Sequence, residues 1–139
     1  MNNMRQLASI ASIVLGVILI IGGIATWVVV SSTLSEQRIT TPDDACLPGR
    51  TVSGPFTAYC QARIIDQHAL ESTGGATYAE LDRDDPLRQV AMNAAFLQAS
   101  LFTSVVAFGV AAMAAAMGLL FILIGLGIRD VEQHVVERV

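Results

Sequence analysis

The sequence contains no lysine and little charge of either sign. Its eight basic residues are all arginine, twelve residues are acidic, and the net charge is −4. A nucleic-acid-binding protein needs a basic face, and this balance offers none. Only 14% of the residues are charged, whereas 53% are apolar. The chain is therefore too apolar for an ordinary soluble domain of 139 residues.

Charge is absent altogether from two long stretches. Residues 7–30 contain no charged side chain over 24 positions, and residues 89–128 contain none over 40. As one helix the longer stretch would measure about 60 Å, whereas a bilayer core of about 30 Å needs only about 20 apolar residues. Its first part carries hydroxyl and amide side chains, and residues 105–128 carry no polar side chain. We therefore predict that residues 104–128 span a membrane and that the preceding part of this helix protrudes from it.

The two stretches predict an all-α integral membrane protein: a two-helix transmembrane hairpin with one sizeable loop. Its expected parts are an N-terminal segment (1–6), a first span (7–30), a cap that includes the protruding start of the second helix (31–103), a second span (104–128) and a tail (129–139). The first stretch is longer than the 7–15 apolar residues of a cleavable signal peptide. This length favours an uncleaved anchor, with a cleaved signal peptide as the alternative.

Small and hydroxyl residues recur along one face of each predicted span. Small residues let helix backbones approach closely, which matters in lipid because packing Leu against Leu gains little there. We predict an antiparallel hairpin interface, with Ser9 near Gly125 and Gly23 near residues 104–107. The alternative is that Ala and Gly are simply common in membrane helices. The predicted packing residues are Ser9, Ser12, Gly16 and Gly23 on the first span and Ser104, Ala107, Ala111, Ala114, Gly118 and Gly125 on the second.

Cysteine is scarce, and both copies, Cys46 and Cys60, lie in the predicted cap. A disulfide would close a ring of about 15 residues and stabilise the fold by about 3 kcal/mol. Such a bond persists only in an oxidising compartment. The pair therefore favours an extracytoplasmic cap with both termini cytoplasmic, and the density of arginine near the termini agrees. The larger number of arginines in the loop points the other way, and free thiols remain the alternative to a bridge.

Turn and capping signals predict a small, mostly helical cap. A helix is expected over residues 57–72, ended by Gly74 and Gly75. Asp85 followed by Pro86 is expected to start the long second helix. Because the cap has too little apolar surface to be stable alone, we expect it to lean on the protruding helix. The expected contacts are Phe56, Tyr59, Ile64 and Leu70 against Met92, Phe96 and Phe102.

The two histidines do not suggest a catalytic or metal site. His68 lies in the loop and His134 in the tail, which the predicted topology places on opposite sides of the bilayer. A site with two histidines and one carboxylate therefore cannot be built from one chain. His68 near Asp66 and Glu71 could bind a metal weakly, but a lone histidine on a polar helix is more often a surface residue. We expect no metal, no cofactor and no enzymatic activity.

Other functional patterns are also missing. No serine stands in a G-x-S-x-G context, the glycines form no phosphate loop, and neither span carries the ionisable residues typical of an ion path. In the tail, Val131, Val135 and Val139 form an apolar stripe. That stripe could dock on a partner, and a fraying helix end is the alternative.

Five segments of the loop and of the second uncharged stretch carry a family resemblance. They are TPDDA (41–45), GPFTA (54–58), DQHAL (66–70), TGGATYAEL (73–81) and MNAAFLQASLFTSVVAFGV (92–110). Together they resemble a group of small actinobacterial double-span membrane proteins, some of which carry the automatic label aromatic ring-opening dioxygenase. The resemblance covers nearly the whole chain and implies the double-span topology and an actinobacterial plasma membrane. It implies no catalytic or binding residues, and the histidine argument speaks against the dioxygenase label.

These observations favour a non-enzymatic membrane protein that works through contacts with the bilayer and with other proteins. The expected role is an accessory or stabilising subunit of a larger bacterial membrane complex, with a respiratory complex as one candidate. The alternative is a homo-oligomeric two-span channel of the mechanosensitive or holin type, which would require self-association.

Overall fold

The computed structural model describes the backbone of residues 2–136 and the side chains of residues 3–131. Three α-helices lie in this range: α1 (Asn2–Glu36), α2 (Pro55–Ser72) and α3 (Leu87–Val136). Extended pairing in the described backbone is limited to one antiparallel bridge between Thr40 and Thr51. The described chain is thus all-helical, and α1 and α3 are each long and apolar enough to cross a membrane.

The ends of the helices follow local backbone chemistry. The Asp85 side chain accepts a hydrogen bond from the Leu87 N–H over 2.8 Å, which satisfies a backbone donor that the first turn of α3 leaves free. α2 starts at Pro55, two residues earlier than the sequence suggests, because the Thr57 hydroxyl accepts the Gly54 N–H over 3.1 Å and closes the turn. A side-chain oxygen thus accepts a backbone N–H at the start of each of these two helices.

Glycine ends α2. Gly74 and Gly75 have φ angles of 67° and 92°, a left-handed conformation that costs glycine little because it has no Cβ. The Gly75 N–H reaches back to the Leu70 carbonyl over 2.7 Å. This bond satisfies a carbonyl in the last turn of α2 and turns the chain away from the helix axis.

The described residues divide into two compact units. The first unit contains the α1 residues up to Val28 and the α3 residues from Val110 onward. The second unit is Val29–Gly109 and contains the end of α1, all of α2 and the start of α3. The first unit is thus a pair of helices, and the second contains all of residues 31–103, the predicted cap.

The second unit has a small apolar core. Val52 and Phe108 are its largest fully buried side chains, with exposed fractions of 0% and 1%. Leu34 from α1, Leu101 from α3 and the α2 alanines complete this core, so all three helices contribute to it. In addition, the Tyr59 ring meets the Phe102 ring edge-on with 6.0 Å between centroids. These contacts give the cap the support on α3 that its size requires.

Two of the expected cap contacts are wrong. Phe56 does not pack against α3, and Phe96 does not pack against α2. Their side chains are 77% and 73% exposed. Alanines occupy the close positions instead: Ala58 and Ala62 on α2 are fully buried. Small side chains let α2 approach its neighbours closely, and the larger phenyl rings are left outside.

Candidate functional site

The most specific arrangement in the first unit is a line of backbone contacts between α1 and α3. We call it the glycine seam and define it by Ser9, Gly16 and Gly23 on α1 and Ala111, Gly118 and Gly125 on α3. All six residues are buried. The surrounding large aliphatic side chains are mostly exposed, so this unit buries its small residues and presents its large ones.

Gly16 and Gly118 face each other at the centre of the glycine seam. A Cβ atom added to either residue would lie 2.5 Å from the carbonyl oxygen of the other. Real Cβ atoms do not approach backbone oxygen this closely, so only glycine fits at these two positions. The same holds at Gly23, where a Cβ would lie 2.6 Å from the Ala111 carbonyl oxygen. The two backbones are therefore in direct contact over several turns.

Two serine hydroxyls bond across the same contact. Ser9 donates to the Gly125 carbonyl over 2.7 Å, and the exposed fraction of Ser9 is 3%. Ser12 donates to the Phe121 carbonyl over 2.6 Å. Because these carbonyls already accept helix bonds, the hydroxyls use the second lone pair of each oxygen. Interhelical bonds of this kind in membrane proteins contribute about 0.6 kcal/mol on average.

The glycine seam has a constant register. Ser9 lies against Gly125, Gly16 against Gly118, and Gly23 against Ala111. Each step advances seven residues on α1 and goes back seven on α3, as an antiparallel heptad pairing requires. The expectation that Gly23 lies near residues 104–107 is wrong, because it is inconsistent with the register that Ser9 and Gly125 set.

Ser104, Ala107 and Ala114 stay predicted packing residues. The Ser104 hydroxyl donates to the Ser100 carbonyl of its own helix over 3.2 Å. Ala107 and Ala114 are half-buried. Sequence reasoning missed Ala115, whose Cβ would lie 3.3 Å from a Cβ at Gly23. Its position four residues after Ala111, on the same helix face, was the available signal.

Isoleucines flank the glycine seam and were also not foreseen. A Cβ at Gly16 would meet the Ile122 Cγ1 atom at 2.7 Å, and a Cβ at Gly118 would meet the Ile20 Cγ1 atom at 2.8 Å. A Cβ at Gly125 would meet Ile13 in the same way, at 2.6 Å. Each glycine thus receives a branched side chain from the opposite helix, as a hole receives a knob.

In the second unit, Cys46 and Cys60 lie at disulfide distance, with 5.4 Å between their Cα atoms. The bridge joins the loop after α1 to the first half of α2. On the loop side, the buried Thr41 hydroxyl accepts the Arg50 N–H over 2.9 Å, and the Thr41 N–H donates to the Arg50 carbonyl over 2.9 Å. The loop is therefore held both by its own hydrogen bonds and by the link to α2.

His68 pairs with a loop carboxylate, not with Asp66 or Glu71 of its own helix. Its Nε2 atom lies 2.6 Å from Asp44 Oδ2, and both side chains are about half exposed. The hydrogen bond to His68 lowers the pKa of the Asp44 carboxyl below its ordinary value. The pair adds a second link between the loop and α2, although exposed ion pairs contribute little to stability.

A second carboxylate is bound at the turn between α2 and α3. Glu80 Oε2 accepts the Thr77 N–H and the Thr77 hydroxyl, each over 2.8 Å. The backbone N–H bond is the main cause, and the hydroxyl bond a further one, of a lowered pKa at Glu80. This carboxylate thus stabilises the turn. In a capping box, the Glu three residues after the N-cap accepts the N-cap backbone N–H in the same way.

An open groove of about 660 Å³ runs beside the Cys46–Cys60 pair. Its lining mixes Arg63 with carboxylates such as Glu71, and one wall is formed by Tyr59. Among the side chains of residues 3–131, no group of three or more His, Cys, Asp or Glu is placed to hold a metal ion. His134, Val135 and Val139, which the sequence offered as a second histidine and a docking stripe, lie outside the described side chains.

Comparison with known proteins adds no relative. No protein-family model, no curated protein and no solved structure matches this chain.

Proposed function

We propose that the chain is a two-span integral membrane protein without catalytic activity, which acts as an accessory or stabilising subunit of a larger bacterial membrane complex. A respiratory complex is one candidate. The proposed topology has cytoplasmic termini and an extracytoplasmic cap. The predicted relation to small actinobacterial double-span proteins belongs to the same proposal.

The observation that carries the membrane location is the distribution of side chains in the first unit. Glycine, alanine and the hydroxyls of Ser9 and Ser12 are used between the helices, while Leu, Ile, Val and Met side chains cover the outside. In water this arrangement would expose far more contiguous apolar surface than soluble monomers tolerate. In lipid it is the arrangement expected of packed helices, because close backbone contact and hydrogen bonds drive their association there.

The cysteine pair supports the orientation. Cys46 and Cys60 lie at disulfide distance in the second unit, and such bonds form and persist outside the cytoplasm. Labelling of intact cells with a membrane-impermeant thiol reagent, before and after reduction, tests this point. Labelling only after reduction is expected. Labelling only after the cells are lysed would place the cap on the cytoplasmic side.

The contact role is supported by the exposed apolar surface of the cap. Met92, Phe96 and Leu97 are all exposed in the protruding part of α3, where a protein partner could cover them. A pore is less favoured because the serines of the first unit already donate to backbone carbonyls. Their hydroxyls are thus engaged within the hairpin.

Site-specific photocrosslinking in native membranes tests the contact role. A photoreactive residue at Phe96 should form an adduct with another protein, whereas the same residue at Leu101, which is buried on the same helix, should not. Purification in mild detergent followed by mass spectrometry should recover that protein. Migration as a partner-free species without adducts would refute the subunit role, and ion conductance by the purified protein in bilayers would favour the channel.

A further inference from the structure

A hydrogen bond holds the start of α2 at a defined position along the axis of α1, and this position is called its height. Within the second unit, the Ser31 hydroxyl donates to the Ser53 carbonyl over 2.7 Å, two residues before α2 begins at Pro55. Ser31 directly follows the apolar residues 7–30 of α1 and is the first of three consecutive hydroxyl residues, Ser31, Ser32 and Thr33. The first turn of α2 therefore lies beside the point where the apolar stretch of α1 ends.

The contact with α3 gives the same height independently. Tyr59 meets Phe102, and near the other end of α2, Leu70 lines a groove together with Ala91. α2 thus runs antiparallel to α3. Phe56 precedes Tyr59 by one turn. Because the two helices are antiparallel, Phe56 lies level with the α3 residues about one turn after Phe102, where the polar side chains of α3 end.

The corner formed by this first turn is apolar and uncovered. Residues 51–62 carry no charge, and Phe56 at the corner is 77% exposed. Val106 of α3, at the corresponding height, is 64% exposed. By contrast, Phe96 is equally uncovered but lies ten residues before Val106, about 15 Å further along α3 at 1.5 Å per residue.

We infer that Phe56 is an interfacial anchor, which inserts into the boundary between headgroups and acyl chains of the bilayer that α1 and α3 cross. This inference rests on the membrane-spanning hairpin proposed above. Helices that lie in this boundary present Trp, Phe and Leu side chains to it on their apolar face. Lipid is the occupant that the structure favours, because α1 ends its apolar residues 7–30 at the level of this ring, and α3 begins there its residues 105–128, which carry no polar side chain. A protein partner has no such reason to meet this corner.

Depth-dependent fluorescence quenching tests the anchor. The full chain is reconstituted into phosphatidylglycerol-containing liposomes, with nitroxide lipids labelled either near the headgroup or near the chain end. Two single-tryptophan proteins are compared, both in a Trp27→Phe background: Phe56→Trp and the matched control Phe96→Trp. We expect headgroup-proximal nitroxide to quench the residue 56 indole about threefold more than the residue 96 indole, with a blue-shifted emission at position 56.

The outcomes separate the anchor from the proposed hairpin. Wild-type protein, whose single tryptophan is Trp27, reports on the first span. Quenching of Trp27 without quenching at position 56 would overturn the anchor alone, and absence of quenching at both would overturn the hairpin as well. p-Cyanophenylalanine at position 56 is nearly isosteric with Phe and gives a second readout. Its nitrile frequency should move from the aqueous value toward the apolar value on reconstitution, and an aqueous value in liposomes would overturn the anchor.

Discussion

Substituting Gly118 by alanine should weaken the hairpin at its closest backbone contact, which Gly118 shares with Gly16. The new Cβ would lie 2.5 Å from the Gly16 carbonyl oxygen, whereas ordinary contact begins at 3.4 Å. The neighbouring atom is backbone and cannot rotate away, so the two helices must separate by about 1 Å.

That separation also affects the hydrogen bonds of the glycine seam. The Ser9 and Ser12 hydroxyls reach their carbonyls over 2.7 and 2.6 Å, and a further ångström would take both beyond useful hydrogen-bond length. Overpacking costs about 1–3 kcal/mol, and each lost interhelical bond costs about 0.6 kcal/mol. We therefore expect Gly118→Ala to lower the free energy of unfolding by about 2–4 kcal/mol.

Gly127→Ala is the matched control on the same helix. A Cβ at Gly127 meets nothing within 4 Å, so this variant receives only the higher helix propensity of alanine, at most about 1 kcal/mol. Unfolding of both variants is measured by titrating sodium dodecyl sulfate into mild-detergent micelles and following Trp27 fluorescence. If the two free energies agree to within about 0.5 kcal/mol, the backbone contact at Gly118 does not exist as described.

Three further predictions concern the hydroxyl, the bridge and the ion pair. Ser9→Ala should lower the unfolding free energy by about 0.6–1.7 kcal/mol in the same titration. Replacing Cys46 and Cys60 together by serine should destabilise the second unit by about 3 kcal/mol, seen as a lower midpoint of thermal unfolding by circular dichroism; an unchanged midpoint would show that the bridge does not form. Because the folded-state pKa of Asp44 is lowered, its contribution to stability is present above the unfolded-state pKa and is lost as pH falls through the folded value. In an NMR titration, His68→Gln should move the pKa of the Asp44 carboxyl back up, and an unmoved midpoint would contradict the pairing.

The small-residue pattern predicts much of the glycine seam but only part of its register. Ser9 does lie against Gly125, whereas Gly23 lies against Ala111 and not near residues 104–107. Ser9, Gly16 and Gly23 recur at intervals of seven residues, and this spacing marks one face of α1 whichever helix packs against it. Pairing this face with α3 requires knowing which α3 residue lies opposite. A shift of four residues toward the start of α3 would still place the small residues Ala114 and Ala107 opposite Gly16 and Gly23. The contact between Gly16 and Gly118 selects the register, because only there do two glycines let both backbones touch.

The contacts of the cap show a second limit of prediction from sequence. Apolar residues such as Phe56 and Phe96 were expected to supply its contacts with α3, since large rings usually contribute most burial. The close approach of α2 instead uses Ala58 and Ala62, and this leaves the rings uncovered. Likewise, Asp66 and Glu71 are near His68 in sequence, but the carboxylate that reaches it is Asp44, 24 residues away. Contacts between distant segments depend on how the loop folds back, which local spacing does not encode.

The sequence by itself determined the helical class, the two uncharged stretches and the small-residue faces, because hydropathy, periodicity and capping act between residues close together in the chain. Only the tertiary structure decided which glycines meet, which carboxylate pairs with His68 and which rings remain exposed. Those outcomes depend on steric fit between segments that are far apart in sequence, where a difference of one ångström separates a contact from a clash.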